Sequence, residues 1–125
     1  MKLVHHHLIY QANVGRDDLG MHSEDTLRGF LYGLVSEIGM QVLIDPVFKF
    51  SDHLAWTGLI GIVTSHISFH YWTVEQYLQL DIYSCKEFDV KKAKAYLDRF
   101  WKSTDQQLLF INRDSGKDFE ISRFK

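Results

Sequence analysis

The sequence predicts an α+β fold, a two-layer sandwich in which an antiparallel sheet carries two helices on one face. Three observations predict it. Only two stretches repeat their apolar residues at helical spacing, and each has a single apolar stripe, so each covers one face of something flat. The remaining apolar stretches are rich in Val, Ile, Tyr and Phe and read as strands. Their order is strand, helix, four strands, helix, strand, which lacks the regular alternation of strand and helix that a parallel sheet needs.

The first strand spans roughly Leu3 to Gln11, and His5-His6-His7 sits inside its alternation as native strand sequence. The first helix gathers Leu27, Phe30, Leu31, Leu34, Val35 and Ile38 on one side; Ser23 or Asp25 can cap its start and Gly39 can end it. Strands then follow at about Gln41 to Phe50, Thr57 to Val63, His66 to Trp72 and Tyr77 to Cys85. The second helix starts after Asp89 as N-cap, with Val90, Ala93, Leu97, Phe100 and Trp101 inward and Lys91, Lys92, Lys94, Asp98 and Lys102 toward solvent. Gln107 to Asn112 is a further strand, and the charged stretch from Gly116 to Lys125 reads as a mobile tail or an added strand.

With 125 residues, 46% of them hydrophobic, residues 1–125 have the size and apolar content of one domain built on one core. Lys and Arg number 14 against 16 Asp and Glu, and no basic block follows a phosphate backbone, so nucleic acid is not an expected partner. No run of about 18 apolar residues suggests a membrane span, and the first residues hold too short an apolar run for a signal peptide. No membrane partner is expected, and a soluble, cytoplasmic protein is. One cysteine cannot close an internal disulfide, which fits a reducing compartment and leaves Cys85 as a packed small residue or a working thiol.

The functional signal is concentrated between Gly58 and Trp72, where an apolar strand runs into Ser65-His66-Ile67-Ser68-Phe69-His70. Alternation sends His66, Ser68 and His70 one way and Ile67, Phe69 and Tyr71 the other. In the next strand Tyr77, Gln79, Asp81, Tyr83 and Cys85 oppose Leu78, Leu80 and Ile82. The uncovered sheet face is therefore polar and reactive, suited to be the floor of a site or a dimer surface. His66 and His70 have strand spacing for zinc but no convincing third ligand, so no metal is expected. Ser65 lies in no Gly-x-Ser-x-Gly elbow and does not read as a hydrolase nucleophile.

Four segments together resemble the signature of the short prokaryotic S-adenosylmethionine decarboxylases: Lys49-Phe50-Ser51, Thr57-Gly58, Thr64-Ser65-His66-Ile67-Ser68-Phe69-His70-Tyr71-Trp72 and Asp81-Ile82-Tyr83-Ser84-Cys85. That signature has a Phe-Ser pair, a Ser-Gly pair ahead of an apolar strand, Glu-Ser-His-x-Ser-x-His-Thr-Trp-Pro-Glu, and Asp-x-Phe-Thr-Cys. The resemblance covers about residues 3 to 112. It implies self-cleavage between Thr64 and Ser65, with Ser65 becoming a pyruvoyl cofactor. It further implies that His70 assists proton removal during cleavage, that Thr57 steadies the cyclic intermediate, and that Cys85 is the catalytic proton donor. Phe50 and Trp72 would offer aromatic surface to an adenine, and Glu75 a carboxylate to the ribose. A homodimer and a small-molecule substrate are implied as well.

The chemistry so implied can be followed bond by bond. The Ser65 hydroxyl adds to the carbonyl carbon of Thr64 and converts the amide to an ester, which breaks far more easily. Loss of the Ser65 Cα proton then eliminates the upstream chain, and the dehydroalanine left behind hydrolyses to a ketone. Such a ketone forms a Schiff base with a substrate amine and takes up the electron pair released with carbon dioxide. A thiol that holds a proton near neutral pH yet releases it readily is suited to quench the carbanion.

The chain departs from the signature in three places. Thr64 replaces the glutamate before the cleaved bond, Thr57 replaces serine and stiffens χ1, and Trp72-Thr73-Val74 replaces Trp-Pro-Glu, with Glu75 one residue on. The leading expectation is a decarboxylase of S-adenosylmethionine that supplies its decarboxylated product to spermidine synthesis. A pyruvoyl-dependent ornithine or arginine decarboxylase is the second reading, and an uncleaved homologue acting as a binding or regulatory subunit the third.

Overall fold

The computed structural model describes residues 3–16, 24–114 and 116–124. They form β1 (His6–Asn13), α1 (Glu24–Glu37), β2 (Val42–Phe50), β3 (Ala55–Ile62), β4 (Ser65–Trp72), β5 (Tyr77–Ser84), α2 (Val90–Trp101), β6 (Thr104–Asn112) and β7 (Glu120–Phe124). All seven strands join one antiparallel sheet in the order β2-β3-β4-β5-β1-β6-β7. The α+β class and the two helices are as expected. The charged stretch near the C-terminus contributes an added strand, because Glu120–Phe124 pairs with β6.

Local sequence explains the helix ends. Asp89 accepts the Lys92 backbone N–H at 3.1 Å and so caps α2. Gly39 closes α1 with φ +71, the left-handed conformation that a helix stop favours in glycine. At the other end of α1, Ser23 lies outside the described residues. Asp25 falls inside the first turn, not at the cap, and there its charge suits the positive end of the helix. No helix among the described residues is long and apolar enough to cross a membrane.

Both helices pack on the same face of the sheet through aromatic rings. Phe30 of α1 and Trp101 of α2 meet each other at 5.1 Å between centroids, and both meet Phe69 of β4, at 5.8 and 6.0 Å. Tyr71 of β4 adds a contact with Trp101 at 5.1 Å. Such pairs contribute about 0.5–1.5 kcal/mol each beyond the area they bury. Glycine at position 58 makes room for this cluster, because a Cβ there would lie 2.4 Å from the Phe69 ring. Tyr10 then ties β1 to α2, donating its hydroxyl to Asp98 at 2.6 Å.

This packing fixes the two rows of β4. Ile67, Phe69 and Tyr71 are buried beneath the helices, whereas His66 and His70 are exposed and Ser68 half-buried on the opposite face. Leu78, Leu80 and Ile82 of β5 are likewise buried, with Gln79, Asp81 and Tyr83 on the open side. The polar uncovered face read from the alternation is present.

Candidate active site

Ser65 stands at the first position of β4, directly after a hairpin turn. Ile62 pairs with Ser65, so only Val63 and Thr64 make the turn. Thr64 adopts φ 52, a left-handed conformation that is costly for a β-branched residue. The peptide bond between Thr64 and Ser65 is thus the one leaving a strained residue. Val63 is fastened on the other side, its N–H donating to the Gln41 carbonyl at 3.1 Å.

Cys85 lies one residue beyond the end of β5, across from Thr64. Its backbone N–H donates to Ser65 Oγ at 2.9 Å, and its Sγ is 2.8 Å from Thr64 Oγ1 and 3.8 Å from the Val63 carbonyl. Ser65 is 9% exposed and Cys85 5%. The Thr64 hydroxyl is the main cause that holds the Cys85 thiol below its ordinary pKa; burial pushes the other way, and the Ser65 hydroxyl and a backbone bond add to the lowering. A cavity of about 230 Å³ opens beside the sulfur, lined by Gly39, Met40, Gln41, Val63, Thr64, Cys85 and Lys86. Ser65, Thr64 and Cys85 therefore form one cluster.

Thr57 and His70 form a second cluster. They face each other across β3 and β4, with Thr57 Oγ1 2.9 Å from His70 Nδ1. The Trp72 ring lies tilted beside that of His70, 5.9 Å between centroids, and lines an open groove of about 580 Å³ together with Glu75, Asn13, Tyr77 and Gln79. Phe50 is not part of either cluster. It packs on Trp56 at 5.1 Å and against the hydrophobic core. At about 3.3 Å per residue, the five steps from Ser65 to His70 along β4 span about 16 Å. Within one chain, His70 and Thr57 do not meet Ser65.

On the open face over β5, β1 and the end of β6 runs a polar network that sequence reasoning left unassigned. Arg113 Nη1 is 3.2 Å from His7 Nδ1, and His7 Nε2 is 3.3 Å from Asp81 Oδ2. Because a guanidinium only donates, Nδ1 accepts and the Nε2–H is left to donate to Asp81. His5 Nδ1 is 2.9 Å from the Tyr83 hydroxyl, and the His66 ring lies 5.6 Å from that of Tyr83. The alternation of His5 and His7 was a usable signal, whereas Arg113 belongs to no motif. Among the described residues, no three His, Cys, Asp or Glu side chains converge as metal ligands.

Both clusters fall inside residues 7–114, which match the family model of S-adenosylmethionine decarboxylase. The chain belongs to the S-adenosylmethionine decarboxylase family. A relative from Pyrococcus abyssi, an S-adenosylmethionine decarboxylase proenzyme, is 31% identical over 121 residues, covering 96% of this chain and 86% of that protein. The proenzyme from Pyrococcus horikoshii is 32% identical over 114 residues, with 90% and 81% covered. The crystal structure of the adenosylmethionine decarboxylase from Aquifex aeolicus shares the fold, with a TM-score of 0.75 at 20% identity over 94% of this chain and 97% of that one. Set beside the family signature, the departures at positions 57 and 64 are both threonines, and both engage their hydroxyls in the clusters just described.

Proposed function

We propose that this member of the family is a self-processing S-adenosylmethionine decarboxylase that makes a pyruvoyl cofactor from Ser65. The observation that carries the reading is the convergence of Ser65, Cys85 and a strained Thr64 at one two-residue turn. Cys85 orients the Ser65 hydroxyl through its backbone N–H, and attack on the Thr64 carbonyl would release a residue from an unfavourable conformation. A keto group at position 65 supplies the electron sink for loss of carbon dioxide from a substrate held through its amine. The Cys85 sulfur, adjacent to position 65, would hold and deliver the proton that replaces the carboxylate. Trp72 and Glu75, which line one groove, offer an aromatic surface and a carboxylate suited to an adenosine.

The reading includes a homodimer. The family resemblance gives His70 and Thr57 roles at the cleaved bond, yet within one chain they lie about 16 Å along β4 from Ser65. A two-fold axis between two open faces, crossing β4 near Ser68, would bring the end of β4 that starts at Ser65 in one copy over the end that carries His70 and Trp72 in the other, with the buried Ser65 and Cys85 at the edge of that contact. The open face also exposes Val47 and Leu59, which pair across β2 and β3 and would be covered in such an arrangement.

The test is release of labelled carbon dioxide from carboxyl-labelled S-adenosylmethionine, ornithine and arginine in parallel. Release from S-adenosylmethionine is expected. Release only from ornithine or arginine would transfer the chemistry to a smaller substrate, and release from none would favour the uncleaved, non-catalytic homologue.

A further inference from the structure

We propose that Thr64 is a positioning residue whose influence on Cys85 reverses when the chain breaks: its hydroxyl holds the sulfur in the uncut protein, and its new carboxylate faces the same sulfur afterwards. The inference rests on the reading of Ser65 as the cleaved serine. In the uncut protein Thr64 Oγ1 is 2.8 Å from Cys85 Sγ, with no charge on Thr64. The neutral hydroxyl favours the thiolate, in keeping with the low-lying thiol.

Cleavage then changes the charge on Thr64. Ser65 Oγ bonds to the Thr64 carbonyl carbon as the C–N bond breaks, giving an ester and a free Ser65 amine. A base takes the Ser65 Cα proton, the pair forms a Cα–Cβ double bond, and the Cβ–O bond breaks with its electrons leaving on the Thr64 carboxylate. Water then replaces ammonia at Cα. The Thr64 carboxylate cannot drift far, since Val63 is tied to Gln41 at 3.1 Å and its own carbonyl lies 3.8 Å from the sulfur. A negative charge beside a thiol disfavours its ionisation. Lys86 lines the same cavity with its Nζ on the Gly39 carbonyl at 3.1 Å, and its charge is the same before and after the cut, so it does not set the difference between the two states; His5 is bonded to Tyr83 and His66 lies against the Tyr83 ring. Cys85 therefore becomes a proton-holding group once processing has occurred. The glutamate of the family signature would place a side-chain carboxylate at this position before cleavage as well; threonine confines the charge to the processed state.

The experiment follows alkylation of Cys85 by iodoacetamide against pH; Cys85 is the only cysteine, so the signal is specific. Four proteins are compared: uncut Ser65→Ala, the same protein carrying Thr64→Val, the same carrying Thr64→Ser, and the processed wild type. Thr64→Val should move the midpoint upward, Thr64→Ser should leave it in place, and processed protein should titrate above uncut protein. Equal midpoints for the valine and serine variants, or for cut and uncut chains, would overturn the inference. Should Thr64→Val not fold, as circular dichroism would show, the cut and uncut comparison still decides. If intact mass shows that the wild type never splits, the cleavage reading fails on its own, and the valine and serine comparison still decides whether the hydroxyl holds the sulfur.

Discussion

Co-producing two inactive chains, His70→Ala and Cys85→Ala, tests whether each site draws on both copies. The register of β3 and β4 puts His70 about 16 Å along the strand from Ser65, whereas proton transfer needs donor and acceptor within about 3 Å or one bridging water. Neither variant alone should turn over substrate: one lacks the group that assists cleavage, the other the proton donor. In a mixed dimer the Cys85→Ala chain lends its His70 to the Ser65 and Cys85 of its partner, restoring one site of two. Purification through two different tags keeps only the mixed dimers, so about half of wild-type decarboxylation per dimer should return. The assay is carbon dioxide release after purification through two different tags, with intact mass to show that the His70→Ala chain is now cut. No recovery in the mixed dimer, or full cleavage of the His70→Ala homodimer, would refute the shared-site reasoning.

Three further outcomes follow from the same geometry. Cys85→Ala should be cleaved almost as well as wild type while turnover falls by about 10²–10⁴-fold, as single-turnover assays would measure; unchanged turnover would remove the thiol from the reaction. Trp101→Ala, which deletes a fully buried ring shared by both helices and β4, should cost about 3–5 kcal/mol in denaturant unfolding. Asp114 accepts the His5 backbone N–H at 2.9 Å, and this bond chiefly holds its carboxyl below the usual range. A depressed folded-state pKa gives stability that is present above the unfolded value and lost as pH falls through the folded one. Unfolding curves of wild type and Asp114→Asn should therefore converge on acidification, and a constant difference at every pH would contradict this.

Much of the architecture could be read in the chain because its signals are local. Asp89 caps α2 where a side chain three residues from its partner can be recognised, and Gly39 stops α1 where the backbone turns left-handed. The two rows of β4 follow from a period of two and needed no tertiary information. Register was harder. Thr57 and His70 are equidistant from the Val63–Thr64 turn, so placing that turn would have paired them, but a strand started at His66 leaves the turn open by one residue. The contact of Thr64 with Cys85 extends the β4 and β5 register past the strand ends, where alternation no longer informs. Phe50 looked available to a ligand from its motif, yet its pairing with Trp56 turns the ring toward the core layer. Arg113 reaches His7 only because β1, first in sequence, inserts between β5 and β6.

The most direct measurement is the intact mass of the purified protein beside that of Ser65→Ala. Two wild-type pieces are expected, residues 1–64 and 65–125, each about half of 14.7 kDa, the second starting in a group that reacts with a hydrazine. Ser65→Ala should remain one species of 14.7 kDa. A wild-type chain that stays whole, or a downstream piece that begins with an ordinary amine, would contradict it.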